Sequence, residues 1–210
     1  ITSDAEEDEI SIVGEYSTDE GFSWNSGVLD NIEFETNHSL SFDGVGDYVD
    51  LGSQLDLMGD FTIEANIKIL ASNNVLTIYA KSDETYSPST PKGYMFHVYN
   101  GVLKLGYRLN NGDDFEGVSS NTTMDYNQWY NVAVTRSNDD IQLFIDGESV
   151  GSGTFSGDIT FPDGVNTYIG RWWNGGTGYT GYYYVGLIDE VAIWDTARTQ
   201  SEIQNNMSTE

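Results

Sequence analysis

Cysteine is absent from the sequence, and proline occurs only three times among its 210 residues. Without cysteine the chain has neither a disulfide framework nor a thiolate metal site. A domain of this length folds without such cross-links, because it buries most of its chain surface. The absence of cysteine therefore does not place the chain inside a cell.

Basic residues are scarce as well. Eight Lys and Arg stand against 34 Asp and Glu, which leaves a net charge of -26. The negative electrostatic potential of this charge repels phosphate backbones and anionic lipid surfaces, so we expect no nucleic-acid partner and no membrane-surface binding. The charge has two open interpretations. It keeps the domain soluble in a salty medium, or it favours cations, neutral ligands and anionic ligands held through a bridging metal.

Long apolar runs are missing too. No stretch approaches the ~20 apolar residues of a transmembrane helix, so we expect no membrane insertion. The start of the chain lacks the pattern of a signal peptide and does not begin with Met, which favours a mature form or a piece of a longer chain. We interpret residues 1–9 as an acidic lead-in or linker end and residues 10–210 as a single domain.

Short β-type runs separated by Gly, Asn, Asp and Ser make up the rest of the chain. Residues 61–69 carry apolar groups on odd positions, the period of a strand with one buried face. Asp146-Gly147 between two such runs predicts a tight hairpin, and Thr199 with Glu202 predicts a capping box at the start of a short helix. The other predicted strands are 39–42, 48–51, 75–80, 93–99, 103–108, 115–118, 129–136, 168–171 and 186–194. This pattern predicts an all-β, two-sheet antiparallel β-sandwich (jelly roll) with a short C-terminal helix.

An ordered set of motifs resembles laminin-G-like, concanavalin A-like jelly-roll domains. Ser41–Val49 resembles their opening motif. Residues 128–135, followed by Leu-Phe-Ile-Asp-Gly, resemble a central strand pair, and residues 186–194 resemble the closing strand. The resemblance spans residues 39–207 and implies a two-sheet jelly roll in which the first and last strands are neighbours. It does not settle the ligand, because the superfamily contains lectins, carbohydrate-binding modules, glycan hydrolases and lyases, and adhesion modules.

The resemblance also implies a structural Ca²⁺ between the opening turn and the closing strand. Carried over by position, it makes Asp43 and Asp189 side-chain ligands, with Asp47 a further candidate and backbone oxygens from residues 44–46. Ca²⁺ takes 6–8 oxygen ligands, which carboxylates and carbonyls supply. In the alternative, Asp43 closes an Asx turn and Asp189 accepts hydrogen bonds from neighbouring amides.

The most unusual segment is 171–184, in which six of the 14 residues are aromatic and four are Gly. Aromatic faces suit the C–H faces of sugar rings, and nearby polar groups bond their hydroxyls. The predicted ligand-binding residues are Arg171, Trp172, Trp173, Asn174, Tyr179 and Tyr182. In the alternative, residues 182–184 form a strand with Tyr183 in the core, and one of the two adjacent Trp is structural. Secondary candidates on the strands of a concave sheet are Tyr79, Tyr94, His97, Tyr99 and Tyr107.

Catalytic patterns are not found in the sequence. Jelly-roll hydrolases carry their carboxylates as Glu-x-Asp-x-x-Glu on one strand, and no such run occurs here. No Ser-His-Asp order, phosphate loop or dinucleotide fingerprint occurs either. We therefore predict a non-catalytic carbohydrate (polysaccharide)-binding module of a secreted or surface protein, acting outside the cell or on its surface. The alternatives are an adhesion or structural module that binds protein, and a glycan hydrolase or lyase domain.

Overall fold

A computed structural model of the chain describes residues 39–57, 59–71, 75–82, 92–109, 116–157, 160–161, 163–172 and 182–207. The predicted lead-in, residues 1–9, lies outside them. The strands are β1 (Leu40–Asp43), β2 (Val49–Asp50), β3 (Phe61–Ile69), β4 (Val75–Ser82), β5 (Gly93–Tyr99), β6 (Val102–Arg108), β7 (Glu116–Thr123), β8 (Trp129–Ser137), β9 (Asp140–Ile145), β10 (Glu148–Thr154), β11 (Thr167–Ile169), β12 (Arg171–Trp172), β13 (Tyr182–Tyr183) and β14 (Val185–Trp194). One helix, α1 (Gln200–Met207), follows.

Two six-stranded antiparallel sheets form the sandwich. The front sheet has the order β1-β14-β3-β8-β9-β10, and the back sheet has the order β2-β11-β4-β5-β6-β7. Strands β12 and β13 form a separate two-stranded pair. The predicted fold class is confirmed, and β1 pairs with β14 as the resemblance implied.

Alternation along β3 defines the two faces of the front sheet. Ile63, Ala65 and Ile67 are fully buried between the sheets. Asn66 and Lys68 lie at the intervening positions and are half-buried, because side chains on a strand alternate between faces. The front sheet therefore presents a largely polar outer face, and this face carries the site described below.

The β9–β10 hairpin confirms the turn predicted at Asp146-Gly147. Both turn residues have positive φ, 50° at Asp146 and 71° at Gly147, as a two-residue type I′ turn requires. The backbone N–H of Asp146 donates to the Asn131 carbonyl at 2.8 Å. The N–H of Asn131 donates to Asp146 Oδ1 at 2.9 Å. The turn therefore fixes one carboxylate beside strand β8.

Helix α1 covers part of the outer face of the front sheet. Its capping box is formed as predicted, since the N–H of Thr199 donates to Glu202 Oε2 at 2.7 Å and the N–H of Glu202 donates to Thr199 Oγ1 at 3.3 Å. The bond from the Thr199 N–H, together with one from the Thr199 hydroxyl to the same Oε2 at 2.8 Å, lowers the pKa of the Glu202 carboxyl. Ile203 packs on Ala133 and Phe144 of the sheet. Among the described residues, no helical segment has the length and the apolar composition of a transmembrane span.

Candidate functional site

The aromatic segment predicted to bind ligand contributes a buried ring to the domain. Trp172 is 5% exposed and packs with Ala80 and Met95 on the outer face of the back sheet. Tyr182 is half-buried against the same cluster. Trp172 thus offers little indole surface for a sugar ring. The other predicted residues of this segment, Trp173, Asn174 and Tyr179, lie outside the described residues, so their role stays a prediction.

Tyr184, rather than Tyr183, is the core residue of this segment. Tyr184 is fully buried and meets Phe42 edge to face, with ring centroids 6.0 Å apart, whereas Tyr183 is half-buried. Strand β13 ends at Tyr183, and the N–H of Tyr184 then donates to the Gly170 carbonyl at 2.8 Å as the chain enters β14. The change of strand directs the next ring inward, and its burial raises the pKa of the Tyr184 hydroxyl.

Arg171 is held between two tyrosine rings. Its Cζ lies 4.7 Å from the centroid of Tyr48 and 4.6 Å from that of Tyr168. Both distances fall within the range of a cation–π contact. The half-buried guanidinium of Arg171 therefore packs against these two rings at the edge of the back sheet.

Asp43 and Asp47 take part in a hydrogen-bonded turn. The N–H of Val45 donates to Asp43 Oδ1 at 2.7 Å, which is the Asx-turn geometry. The N–H of Asp43 donates to Asp47 Oδ2 at 2.9 Å. At the other end of β1, Asp189 Oδ1 accepts from the N–H of Glu190 at 2.9 Å. All three carboxylates therefore accept backbone hydrogen bonds.

The structure does not bring Asp43 and Asp189 together. Asp43 is paired with Val185, and Leu40 with Ile188. Asp189 therefore lies four residues along β14 from the partner of Asp43, a separation of about 13 Å. Among the described residues, no group of three or more Asp, Glu or His could hold a metal ion. One calcium ion bound by both Asp43 and Asp189 does not fit this register, and calcium at the Asp43–Asp47 turn alone stays a prediction.

A groove of about 660 Å³ opens on the outer face of the front sheet. Its lining residues are Ser39, Asn66, Trp129, Tyr130, Asn131, Asp146, Leu187, Asp189 and Met207. They come from the start of the described chain, from strands β3, β8 and β14, from the β9–β10 turn and from the end of α1. The groove is therefore a product of strand register and not of any one loop.

The floor of the groove is a row of polar side chains that crosses the strands. Asp189 is paired with Asn66, and Asn66 with Asn131. Asp146 completes the row through its two hydrogen bonds with Asn131. With neighbouring strands about 4.8 Å apart, the row is about 14 Å long. It places amide and carboxylate groups in a line perpendicular to the strands, in which the Oδ1 atom of Asn131 is buried.

A buried carboxylate fixes the centre of this row. Asn131 Nδ2 donates to Glu64 Oε1 at 3.2 Å and to Asn66 Oδ1 at 3.0 Å. Glu64 is only 1% exposed. Because both amide hydrogens of Asn131 are engaged, its side chain is held in one orientation. The polar floor is thus preorganised.

Apolar and aromatic side chains form the walls. Trp129 is 44% exposed although it lines the groove, and it lies in the row next to the polar floor, where Lys68 pairs with both Trp129 and Leu187. Met207, at the end of α1, lines the groove as well. Sequence reasoning placed Trp129 in a strand and did not single it out as a binding residue. The available signal was the alternation in β8, where Trp129 and Asn131 share the face opposite Val132.

Most of the secondary aromatic candidates on the back sheet are inaccessible. Four of them, Tyr79, Tyr94, His97 and Tyr107, are at most 5% exposed. Tyr79, Tyr94 and Tyr107 belong to the core between the sheets. Tyr99 is 42% exposed, so it alone of the five has a ring available to a ligand.

The burial of His97 predicts that stability depends on pH. Burial, with a smaller effect of the Lys104 charge, lowers the pKa of His97 to about 4, and its Nδ1 lies 3.1 Å from the Met95 carbonyl oxygen. An unfolded histidine titrates near 6.5, so the unfolded chain binds the proton first as pH falls. We expect the stability from neutral His97, up to about 3 kcal/mol, to be complete above about pH 6.5 and lost on descending to about pH 4.

Urea unfolding at several pH values tests this expectation. His97→Asn keeps a donor near the Nδ1 position and does not titrate, so its stability should fall less between about pH 7 and pH 4.5 than that of the parent. The difference between the two proteins isolates His97 from the many carboxylates. Equal slopes in the two proteins would show that His97 does not contribute.

Residues 43–204 match the model of a laminin-G-type family described as the concanavalin A-like lectin/glucanases superfamily. The chain belongs to this superfamily. The match spans the sandwich from the end of β1 into α1, so the superfamily fold accounts for both sheets and the helix. No curated protein matches the sequence.

Solved structures share the fold of this superfamily member at low sequence identity. The CBM40 domain of the Ruminococcus gnavus IT-sialidase bound to α2,3 sialyllactose superposes with a TM-score of 0.66 at 15% identity, covering 80% of this chain and 95% of that one. Domain 4 of AbnA, an extracellular arabinanase from Geobacillus stearothermophilus in complex with arabinotriose, gives 0.63 at 16% identity, covering 86% and 81%. A SAP-like pentraxin from Limulus polyphemus gives 0.56 at 20% identity, covering 80% of each chain.

Proposed function

We propose that this domain is a non-catalytic carbohydrate-binding module of an extracellular or cell-surface protein, and that it binds a saccharide in the groove of the front sheet. The observation that carries the proposal is the exposed Trp129 ring beside the row of Asn66, Asn131, Asp146 and Asp189. Saccharide rings combine apolar C–H faces with a rim of hydroxyls. A groove with an aromatic wall and a polar floor matches both parts.

The dimensions of the groove favour a short oligosaccharide. Its polar row extends about 14 Å across the strands, which is longer than one sugar ring. Asn131 is held by Glu64 and Asn66, so little side-chain order has to be gained when a ligand binds. The groove therefore favours a segment of a glycan chain over a single sugar.

The spacing of the carboxylates argues against hydrolysis. Asp146 and Asp189 stand at opposite ends of the row, about 14 Å apart along it, whereas glycosidases place their pair about 5–5.5 Å or 6.5–9.5 Å apart. Glu64 is nearer the centre but is buried, and its Oε1 accepts from Asn131. This arrangement supports binding without bond cleavage.

The comparisons support the same function. The similar structures include a carbohydrate-binding module bound to sialyllactose and an arabinanase domain in complex with arabinotriose. The fold alone serves many functions, so these likenesses raise the expectation of a glycan ligand without locating its site. The location rests on the groove of this chain.

A glycan array followed by NMR titration tests both the ligand and the site. We expect at least one oligosaccharide to bind the intact chain and to shift the signals of the Trp129 indole and of the Asn66 and Asn131 side-chain amides. Incubation should release no new reducing ends. Shifts confined to residues 171–184 would move the site to the aromatic segment, and an array without any bound glycan would overturn the proposed function.

A further inference from the structure

We infer that the groove selects uncharged saccharides and rejects those that carry carboxylate or sulfate groups. The inference rests on the proposed function and names the substrate class of the same site. Its basis is the chemistry of the lining: the described residues of the groove include two carboxylates, Asp146 and Asp189, and no Lys, Arg or His. The groove thus differs in charge from a site built to hold an acidic sugar.

Hydrogen-bond acceptors dominate both ends of the groove floor. Oδ1 of Asp146 accepts from the N–H of Asn131, and Oδ1 of Asp189 accepts from the N–H of Glu190. Neither Oδ2 accepts a hydrogen bond from the described residues. A sugar hydroxyl can donate to these oxygens. A ligand carboxylate or sulfate only accepts, so it gains no bond there and is repelled.

The centre of the floor adds no free donor from Asn131. Both of its amide hydrogens already go to Glu64 Oε1 and Asn66 Oδ1. Glu64 itself places a third carboxylate beneath the row. Asn131 therefore offers no amide hydrogen to an anionic substituent, which would meet carboxylates at both ends of the floor and beneath its centre.

Lys68 is the cation that the strand register places nearest to the groove. It pairs with Leu187 on one side and Trp129 on the other, one row from the polar floor. It is not among the lining residues, whereas Asp146 and Asp189 are. The net charge of -26 adds a longer-range repulsion of the same sign. Lys68 therefore does not reverse the charge that a bound saccharide meets.

Matched pairs of saccharides provide the test. Sialyllactose with its methyl ester, and oligogalacturonates with their methyl esters, share one sugar skeleton and differ in the charge of the carboxyl group. For each pair that binds the intact chain, we expect the acidic member to bind at least about fivefold more weakly at 0.01 M ionic strength. This difference in affinity should become smaller at 0.15 M ionic strength, because the Debye length falls from about 30 to about 8 Å.

Two substitutions in the groove test the cause. In the Asp146→Asn, Asp189→Asn double variant each amide keeps an Oδ1 acceptor for its backbone donor, and Asn tolerates the positive φ of residue 146. We expect this variant to lose most of the gap between acidic and neutral members. Asp140→Asn is the matched control, because the Asp140 carboxylate is exposed at the far end of β9, about 20 Å from Asp146. In this variant the difference in affinity between acidic and neutral members should persist.

Each result separates the inference from the function on which it rests. If no saccharide binds at all, the proposed function fails. If acidic members bind as tightly as neutral ones, or the double variant keeps the gap, charge selection by the two carboxylates is overturned while saccharide binding stands. Tighter binding of acidic members that disappears in Lys68→Gln would assign the selection to that lysine instead.

Discussion

Replacing Trp129 with alanine is expected to weaken saccharide binding by about tenfold or more and to leave the melting temperature nearly unchanged. A central aromatic anchor of a binding site commonly contributes more than about 1.4 kcal/mol, which is a factor of ten in affinity. The ring is 44% exposed, so its removal costs the folded state little. Isothermal titration calorimetry measures the first effect, and differential scanning calorimetry the second.

Tyr99→Ala is the control for this variant. Tyr99 is 42% exposed, nearly the same as Trp129, but it lies on the back sheet. We expect its removal to leave saccharide affinity unchanged. If the two variants bind alike and as well as the parent, the Trp129 ring is not part of the site.

Replacing Trp172 with alanine is expected to lower the melting temperature and to leave saccharide affinity unchanged. The ring is 5% exposed and packs with Ala80 and Met95. Truncating a buried aromatic side chain costs about 3–5 kcal/mol, which lowers the melting temperature of a domain of this size by about 10 °C. Trp172→Phe retains much of the apolar contact and should lose clearly less.

The affinity of Trp172→Ala, measured well below its melting temperature, decides between two locations for the site. We expect it to match the parent, because the ring faces the back sheet and not the groove. A folded Trp172→Ala protein that no longer binds saccharide would return the site to the aromatic segment. Taken together, the two tryptophan variants separate a binding ring from a packing ring.

Local sequence signals predicted most of the fold. The alternation of residues 61–69 and the run 93–99 have the bounds of β3 and β5, and Asp146-Gly147 forms the hairpin. Strand β7 is longer than its prediction, since it runs over Glu116–Thr123 and not 115–118. Its second half is Ser, Asn and Thr. This half is held by backbone hydrogen bonds to β6 at the edge of the back sheet, where alternating apolar side chains are not required.

The site was harder to predict, because its residues are ordinary one by one. Asn66 and Asn131 lie at polar positions of alternating strands, although Asn is a residue type that β-strands disfavour. Only the strand register places them side by side between Asp146 and Asp189. The aromatic segment, by contrast, is conspicuous in the sequence. Its composition indicates how many aromatic rings it contains, but not which of them are exposed. The exposure of a ring depends on whether it packs on a sheet, and Trp172 packs on the back sheet.

Strand register also explains why the two predicted calcium ligands, Asp43 and Asp189, are not brought together. The resemblance placed Asp43 and Asp189 on neighbouring strands, which is correct. Antiparallel pairing then determines which residues face each other, and a four-residue offset puts the two carboxylates at opposite ends of the strand pair. The resemblance implied that the strands are neighbours, but it did not give the offset between them.

The transverse row of the groove ties together segments that are far apart in the chain, from Asn66 to Asp189. A bound glycan would therefore contact three strands and the β9–β10 turn, and would bind only molecules in which these segments are paired. A ligand at about 100 times its dissociation constant adds about 2.7 kcal/mol to the free energy of unfolding, which raises the melting temperature by several degrees. Heat resistance thus becomes a label-free readout with which a library of polysaccharides can be screened.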